Sequence, residues 1–222
     1  MDETRAKLID AAGYEFAERG FEGATVRSIC ERAGANLAAV NYHFGDKERL
    51  YEAVLLVAHR SRPTFEATVT DEAEDPRATL GRFVANFLEE LVFHQSTPWH
   101  QAVMVREIAA PTKASDTLVR EAIRPQFEAL LAILRRLTPR SEPRQIQAIG
   151  FSVVAQCLHY KLNRSISERI VGVEAFERLD LEFLIDHITR FTLAALGHGE
   201  PLNSPTSADL ESQSGPRARS NR

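Results

Sequence analysis

From Ile9 to Phe191 the large apolar residues of this chain recur three and four positions apart, and no stretch alternates with period two. A chain patterned only at the helical period packs helix on helix, so an all-α fold is expected. The first helix is read over 2–19, with Ile9, Ala12 and Phe16 on one face and Gly20 as its stop. Thr25 caps a short helix over 26–33, whose apolar set is Val26, Ile29, Cys30 and Ala33, and Gly34 ends it. A third helix over 37–44 turns Leu37, Val40 and Phe44 inward, and Gly45-Asp46 then caps a fourth carrying Leu50, Val54, Val57 and Ala58. Asp75-Pro76 and Thr97-Pro98 open helices over 76–93 and 98–110, the first with a stripe of Leu80, Phe83, Val84, Phe87, Leu88 and Leu91. A helix over 115–137 contains Pro125, which should kink it. Pro143 starts a penultimate helix reaching 163, and Asp180 caps the last.

The 222 residues carry 27 basic and 31 acidic side chains, a formal charge of −4, and residues 1–62 hold nine basic against ten acidic. Bulk charge therefore argues neither for nor against a polyanionic partner; only a local arrangement of groups can. Two cysteines, Cys30 and Cys157, make no disulfide framework and fit a reducing compartment. The Met-Asp-Glu start lacks the features of a signal peptide, and no run of about twenty apolar residues exists. A cytoplasmic protein without a membrane span is expected. Residues 198–222 hold only two large aliphatics, Leu202 and Leu210, and read as a disordered tail.

Residues 20–47 carry the chemistry. Two short helices joined at Gly34, after a longer first helix, form a helix-turn-helix arrangement whose second short helix enters a DNA major groove. With Leu37, Val40 and Phe44 inward, Ala38, Ala39, Asn41, Tyr42 and His43 face outward or sideways, where a solvated helix would carry Lys, Glu and Gln. Alanines let the backbone approach the groove and touch a thymine methyl; Asn41 can bond a base edge. Tyr42 and His43 suit phosphate hydrogen bonds. Thr25 groups its hydroxyl with the free N–H groups of a helix start, Arg27 lies in the same turn, and Lys47 can clamp the other side of the DNA backbone. The plainer alternative makes Asn41, Tyr42 and His43 a polar cap over a small three-helix core, and Thr25 an N-cap alone.

The run Gly20-Phe21-Glu22-Gly23-Ala24-Thr25-Val26-Arg27-Ser28-Ile29, then Ala33-Gly34, then Ala39-Val40-Asn41-Tyr42-His43-Phe44-Gly45-Asp46-Lys47-Glu48-Arg49-Leu50 resembles the DNA-binding domain of TetR-family transcriptional regulators. The resemblance spans about residues 3–60. It implies a DNA-binding domain over 1–62 and a larger helical domain over 63–197 that dimerises and binds a small effector. Thr25 and Arg27 would lie near phosphate, Tyr42, His43 and Lys47 on phosphate or base edges, and Ala38, Ala39 and Asn41 in the groove. Many family members have an aromatic residue where this chain has Asn41, so base preference does not carry over. Val105-Arg106-Glu107, Pro111-Thr112 and Ile123-Arg124-Pro125 are similar to the C-terminal domain of the CecR-like subgroup.

The resemblance also implies a homodimer through the last two helices, presenting two reading helices to a palindromic operator on double-stranded DNA. The penultimate helix carries two apolar stripes: Ile146, Ile149, Val153 and Cys157, and Phe151, Val154 and Leu158, one for the core and one for a partner. A ligand cavity would lie among helices 76–93, 98–110, 115–137 and 143–163, lined by Phe87, Trp99, Met104, Arg106, Glu107, His159 and Tyr160. Phe87 and Trp99 also fit plain core positions, and Arg106-Glu107 a structural ion pair. An inward Arg106 would favour an acidic or carbonyl-bearing effector. A helical enzyme using His94, His100, Glu107 or His159 has no nucleophile elbow, P-loop, dinucleotide fingerprint or HExxH motif to support it. No catalytic set, metal site or cofactor is therefore expected, and Cys157 as a redox sensor rests on its presence alone. The remaining alternative is a helical adaptor for protein partners. The expected function is a homodimeric repressor released from its operator by an effector.

Overall fold

The computed structural model describes residues 3–60, 74–89 and 97–198, and all regular structure among them is helical. In chain order the helices are α1 (Glu3–Gly23), α2 (Val26–Ala33), α3 (Leu37–His43), α4 (Lys47–Arg60), α5 (Pro76–Leu88), α6 (Pro98–Ala109) and α7 (Ala114–Leu118). A π-helical turn (Val119–Ile123) leads into α8 (Arg124–Leu137), followed by α9 (Pro143–Leu162), α10 (Arg164–Val171), α11 (Val173–Glu177) and α12 (Leu181–Ala195). Leu91, His94 and, beyond His198, the expected disordered tail lie outside the described residues.

Local chemistry sets most of these boundaries. Thr25 Oγ1 accepts from Ser28 N–H at 3.1 Å while Ser28 Oγ accepts from Thr25 N–H at 3.4 Å, a reciprocal cap on α2. Gly34 closes α2 in the left-handed region at φ 63, where a Cβ would be strained. Asp46, Asp75 and Asp180 each accept a backbone N–H at the starts of α4, α5 and α12. Gly20, expected as a stop, is a kink: φ 72 and ψ 174 break the helix there, and one further turn runs to Gly23. Pro125 acts before its own position. Its missing N–H and its ring leave no place for an ordinary turn, and the chain widens into the π turn over Val119–Ile123.

Two expectations are corrected. Leu37 is 58% exposed, not inward. It is the first residue of a seven-residue helix and lies past the edge of the core that Val40 and Phe44 reach. The α10–α11 pair, 164–177, was not foreseen, so the helix before α12 is α11 rather than α9.

Two cores form. One joins α5, α8, α9 and α12 through side chains such as Leu80, Phe83, Leu134, Val153 and Ile188. The other takes in α1 to α4 and extends to Trp99, Val103 and Met104 of α6 and Leu118 of α7. The α1–α4 unit thus shares its core with α6 and α7, and three polar contacts reinforce the seam. Trp99 Nε1 donates to Asp10 at 2.9 Å, its ring covering Gly13. Arg106 donates to the carbonyls of Ala17 (2.8 Å) and Glu18 (3.1 Å), just before the Gly20 kink. The third is Glu107, whose buried carboxylate accepts from Tyr51 of α4 (2.9 Å), from the Thr112 N–H and hydroxyl, and from the Ser115 hydroxyl. Burial pushes the Glu107 carboxyl up, but hydrogen bonds from Ser115, Thr112 and Tyr51 outweigh it and hold the group below its ordinary range. Burial, and then the bond to Glu107, push the Tyr51 phenol well up, so it stays a donor.

Two measurements test this packing. A Cβ on Gly13 would lie 2.2 Å from the Trp99 ring, whereas one on Gly81 would meet Thr189 at an ordinary 3.7 Å. In chemical denaturation Gly13→Ala should cost about 1–3 kcal/mol, since overpacking outweighs the helix gain, and Gly81→Ala should add about 0.5–1 kcal/mol. The lowered Glu107 carboxyl contributes stability above its unfolded value of about 4.3, and this is lost as pH falls through the folded value. Glu107→Gln should therefore flatten the acid limb of a stability-against-pH curve; an unchanged limb would contradict the charged assignment.

Candidate functional site

One arginine adds a polar clasp to the core that packs the helix-turn-helix on α1. Arg32 reaches Glu18 at 3.1 Å and Glu15 at 3.4 Å, with its guanidinium over the Tyr14 ring. That fixes α2, and α2 with Gly34 fixes where α3 begins. Asn36 caps α3, accepting from Ala39 N–H at 3.0 Å. Val40 and Phe44 then anchor α3, and Arg5 lies over the Phe44 ring at 5.3 Å.

Three of the expected set on α3 point outward and two lie sideways, Ala39 packing against the core. Ala38 and Asn41 are exposed, Tyr42 is 85% exposed, and Ala39 and His43 are half-buried. The Tyr42 and His43 rings meet edge-on at 4.9 Å, which presents phenol and imidazole together. Thr25 is exposed at the start of α2; its hydroxyl oxygen is engaged as the cap acceptor. Arg27 is exposed and paired with Glu31 at 3.0 Å, so it is pre-positioned along α2. Lys47 places its ammonium 4.5 Å above the Phe21 ring, in the extra turn after the Gly20 kink. Sequence reasoning missed four supports: Ser28, Asn36, Phe21 and Arg32. The Thr25-x-x-Ser28 spacing and an asparagine ahead of Leu37 were legible signals for the first two; Phe21 under Lys47 is a tertiary contact with none.

A cavity of 480 Å³ lies among α4, α5, α6, the π turn, α8 and α9. Of the seven residues expected to line it, Phe87 and Met104 do. Trp99, Arg106 and Glu107 instead hold the seam to α1 and α4, because their positions on α6 face away from the cavity. His159 is exposed and bonds Ser167 and Asn163, and Tyr160 packs on the second core. Phe151, Val154 and Leu158, expected as a stripe for core or partner, face the cavity, Phe151 stacking on Phe127 at 4.6 Å.

α6 therefore has two working faces. Met104, Val105 and Ile108 line the cavity, while Trp99, Arg106 and Glu107 grip α1 and α4. Cys157 is buried and its thiol is pushed up to about 12 by burial, which withholds the reactive thiolate that a redox sensor needs. Among the described residues no group of three or more His, Cys, Asp or Glu side chains could hold a metal ion, and no helix is long and apolar enough to cross a membrane.

Comparison with known proteins agrees with this geometry. Residues 8–54 match the family model for bacterial regulatory proteins of the tetR family, and residues 76–196 match that for the C-terminal domain of the HTH-type transcriptional dual regulator CecR. The chain is similar to the HTH-type transcriptional regulator TtgR of Pseudomonas putida, 31% identical over 96 residues, 43% of this chain and 46% of that one. It is also similar to the HTH-type transcriptional repressor AcnR of Corynebacterium efficiens, 45% identical over 51 residues, 23% of this chain and 27% of that one. The chain spans about half or less of the length of these relatives. In fold it is similar to HlyIIR, a hemolysin II transcriptional regulator, with a TM-score of 0.59 at 20% identity, covering 85% of this chain and 98% of that one. A putative transcriptional regulator from Pseudomonas aeruginosa PAO1 gives 0.64 at 18% identity, covering 88% and 93%. These are regulators and not enzymes. With a DNA-binding model on α1–α4 and a second model over more than half of its length, the chain belongs to the TetR family of DNA-binding transcriptional regulators.

Proposed function

We propose that this regulator is a homodimeric repressor that leaves a palindromic operator when a small molecule occupies the cavity among α4, α5, α6, α8 and α9. The observation that carries the reading is the double use of α6. A ligand displacing Met104, Val105 or Ile108 moves the same rigid helix that holds Ala17, Glu18 and Tyr51 of the reading head. An effector that binds one tilt of α6 better than the other shifts the head by that difference in affinity.

On the DNA side, Ala38, Ala39 and Asn41 lie in the groove, Tyr42 and His43 contact phosphate or base edges, and Thr25, Arg27 and Lys47 hold the backbone. The aromatic stripe of α12, exposed Phe183 and Phe191 with half-buried His187 between them, supports dimerisation, as do the small exposed residues Ala148, Ser152 and Ala155 of α9. Small residues let two copies of α9 approach closely, and the aromatic stripe is apolar area that a monomer would leave in water. Residues 1–62 and 63–197 are the reading and effector parts. The repressor sense draws on AcnR's description as a repressor; the description of CecR as a dual regulator favours a second reading in which one operator represses and another activates.

Selection of bound duplexes from a random pool at moderate salt should enrich a palindrome with half-sites about one helical turn apart, or a multiple. Failure to enrich, with and without cell extract, would move the reading to a protein-binding adaptor. On the enriched duplex, Lys47→Ala should weaken all sequences alike and flatten the salt slope by about one per half-site. Asn41→Ala should lose about 1–3 kcal/mol at a single operator position; equal loss on scrambled DNA would remove Asn41 from base reading.

A further inference from the structure

The cavity has a chemical character of its own. Among the large apolar side chains that the fold leaves in solvent, Val105, Ile108, Val119, Ile123, Phe151 and Leu162 all converge on this one concavity, with Phe151 63% exposed. Side chains of this size, scattered singly, would need no explanation; six around one hollow mark a surface built to be covered. Beneath them Phe83 and Phe87 stack at 6.1 Å, and Phe127 stacks on Phe151 at 4.6 Å, so the body of an occupant meets hydrocarbon and ring faces.

The charged groups on the lining are unequal. Arg124, on the first turn of α8, and Lys161, near the end of α9, are basic. The acidic one, Glu128, lies 3.6 Å from Arg135 in an exposed pair that offsets its charge only in part, which leaves the lining with an excess of basic groups. Arg124 is exposed and has no ion pair or side-chain hydrogen bond among the described residues, so its charge is available to whatever enters. Its position follows from Pro125: the π turn that accommodates the proline sets where α8 starts, and Arg124 is its first residue.

We infer that the cavity takes an amphipathic organic acid, a largely apolar molecule whose single anionic group is met by Arg124, with Lys161 as the second basic group of the lining. This rests on the effector reading of the cavity given above and narrows it. A cationic amphiphile would bury its charge beside two like charges, and a neutral one would leave Arg124 unmatched.

The test uses the full chain and three probes with one tail: decanoate, 1-decanol and decyltrimethylammonium, titrated calorimetrically below their aggregation limits, with release of the enriched duplex measured in parallel. Decanoate should bind about fivefold or more tighter than decanol and tighter still than the ammonium. Arg124→Gln, a change at an exposed position, should erase the margin of decanoate over decanol. Phe151→Ser, also exposed, should weaken all three probes. Equal binding of all three, or preference for the ammonium, would overturn the acid; duplex release by those same probes would leave the effector reading intact. A decanoate preference that vanishes in Arg124→Gln but leaves duplex affinity untouched would support the acid site and remove the effector reading. Binding by none of the three would overturn the inference.

Discussion

The buried carboxylate of Glu107 is the point on which the two ends of this molecule depend. It sits on α6, takes a hydrogen bond from Tyr51 on α4, and collects Thr112 and Ser115 from the segment that becomes α7. A charge in that position costs free energy unless its lone pairs are filled, and four donor groups from two segments fill them. The consequence is geometric. α4, α6 and α7 cannot slide past one another without leaving a carboxylate unsatisfied. Arg106, one residue earlier, applies the same constraint to α1 by donating to two carbonyls just ahead of the Gly20 kink.

Much of the fold was legible because it is written in local chemistry. Thr25, Gly34, Asp46, Asp75 and Asp180 act within three or four residues of themselves, and the helix boundaries they set follow from the sequence. The outward set on α3 was legible for the same reason, since helical spacing alone decides which side chains oppose Val40 and Phe44. What could not be read depends on partners far along the chain. Arg106 and Glu107 looked like cavity residues because polar groups on an apolar helix suggest a ligand; their true partners are about ninety and fifty-six positions away. Leu37 has the period of an inward residue, but periodicity does not say where the core ends. The second stripe of α9 fits core or partner surface equally well in sequence but walls a cavity, which also needs apolar residues and leaves the same pattern.

The electrostatics of the reading head show why net charge was a poor guide. Arg27 and Arg32 are each committed to a carboxylate, and Lys47 is seated on an aromatic ring. On the proposed DNA reading, the head would bring few free cations to the duplex, with its basic groups already held in position. A binder of this kind depends on position more than on charge density, which fits a domain with more acidic than basic side chains.

The core that runs from α1–α4 into Trp99, Val103, Met104 and Leu118 bears on how such proteins are recombined. A cut at residue 62 follows the sequence but passes through the packing. A chimaera joining this head to another regulator's effector half would inherit a tyrosine hydroxyl without its carboxylate and two carbonyls without their arginine ahead of a kink. The transferable unit is the head together with the facing side of α6 and α7, two pieces separated in the chain but single in space. Modularity in this protein is therefore a property of surfaces, and a junction chosen from the linear order of domains would miss it.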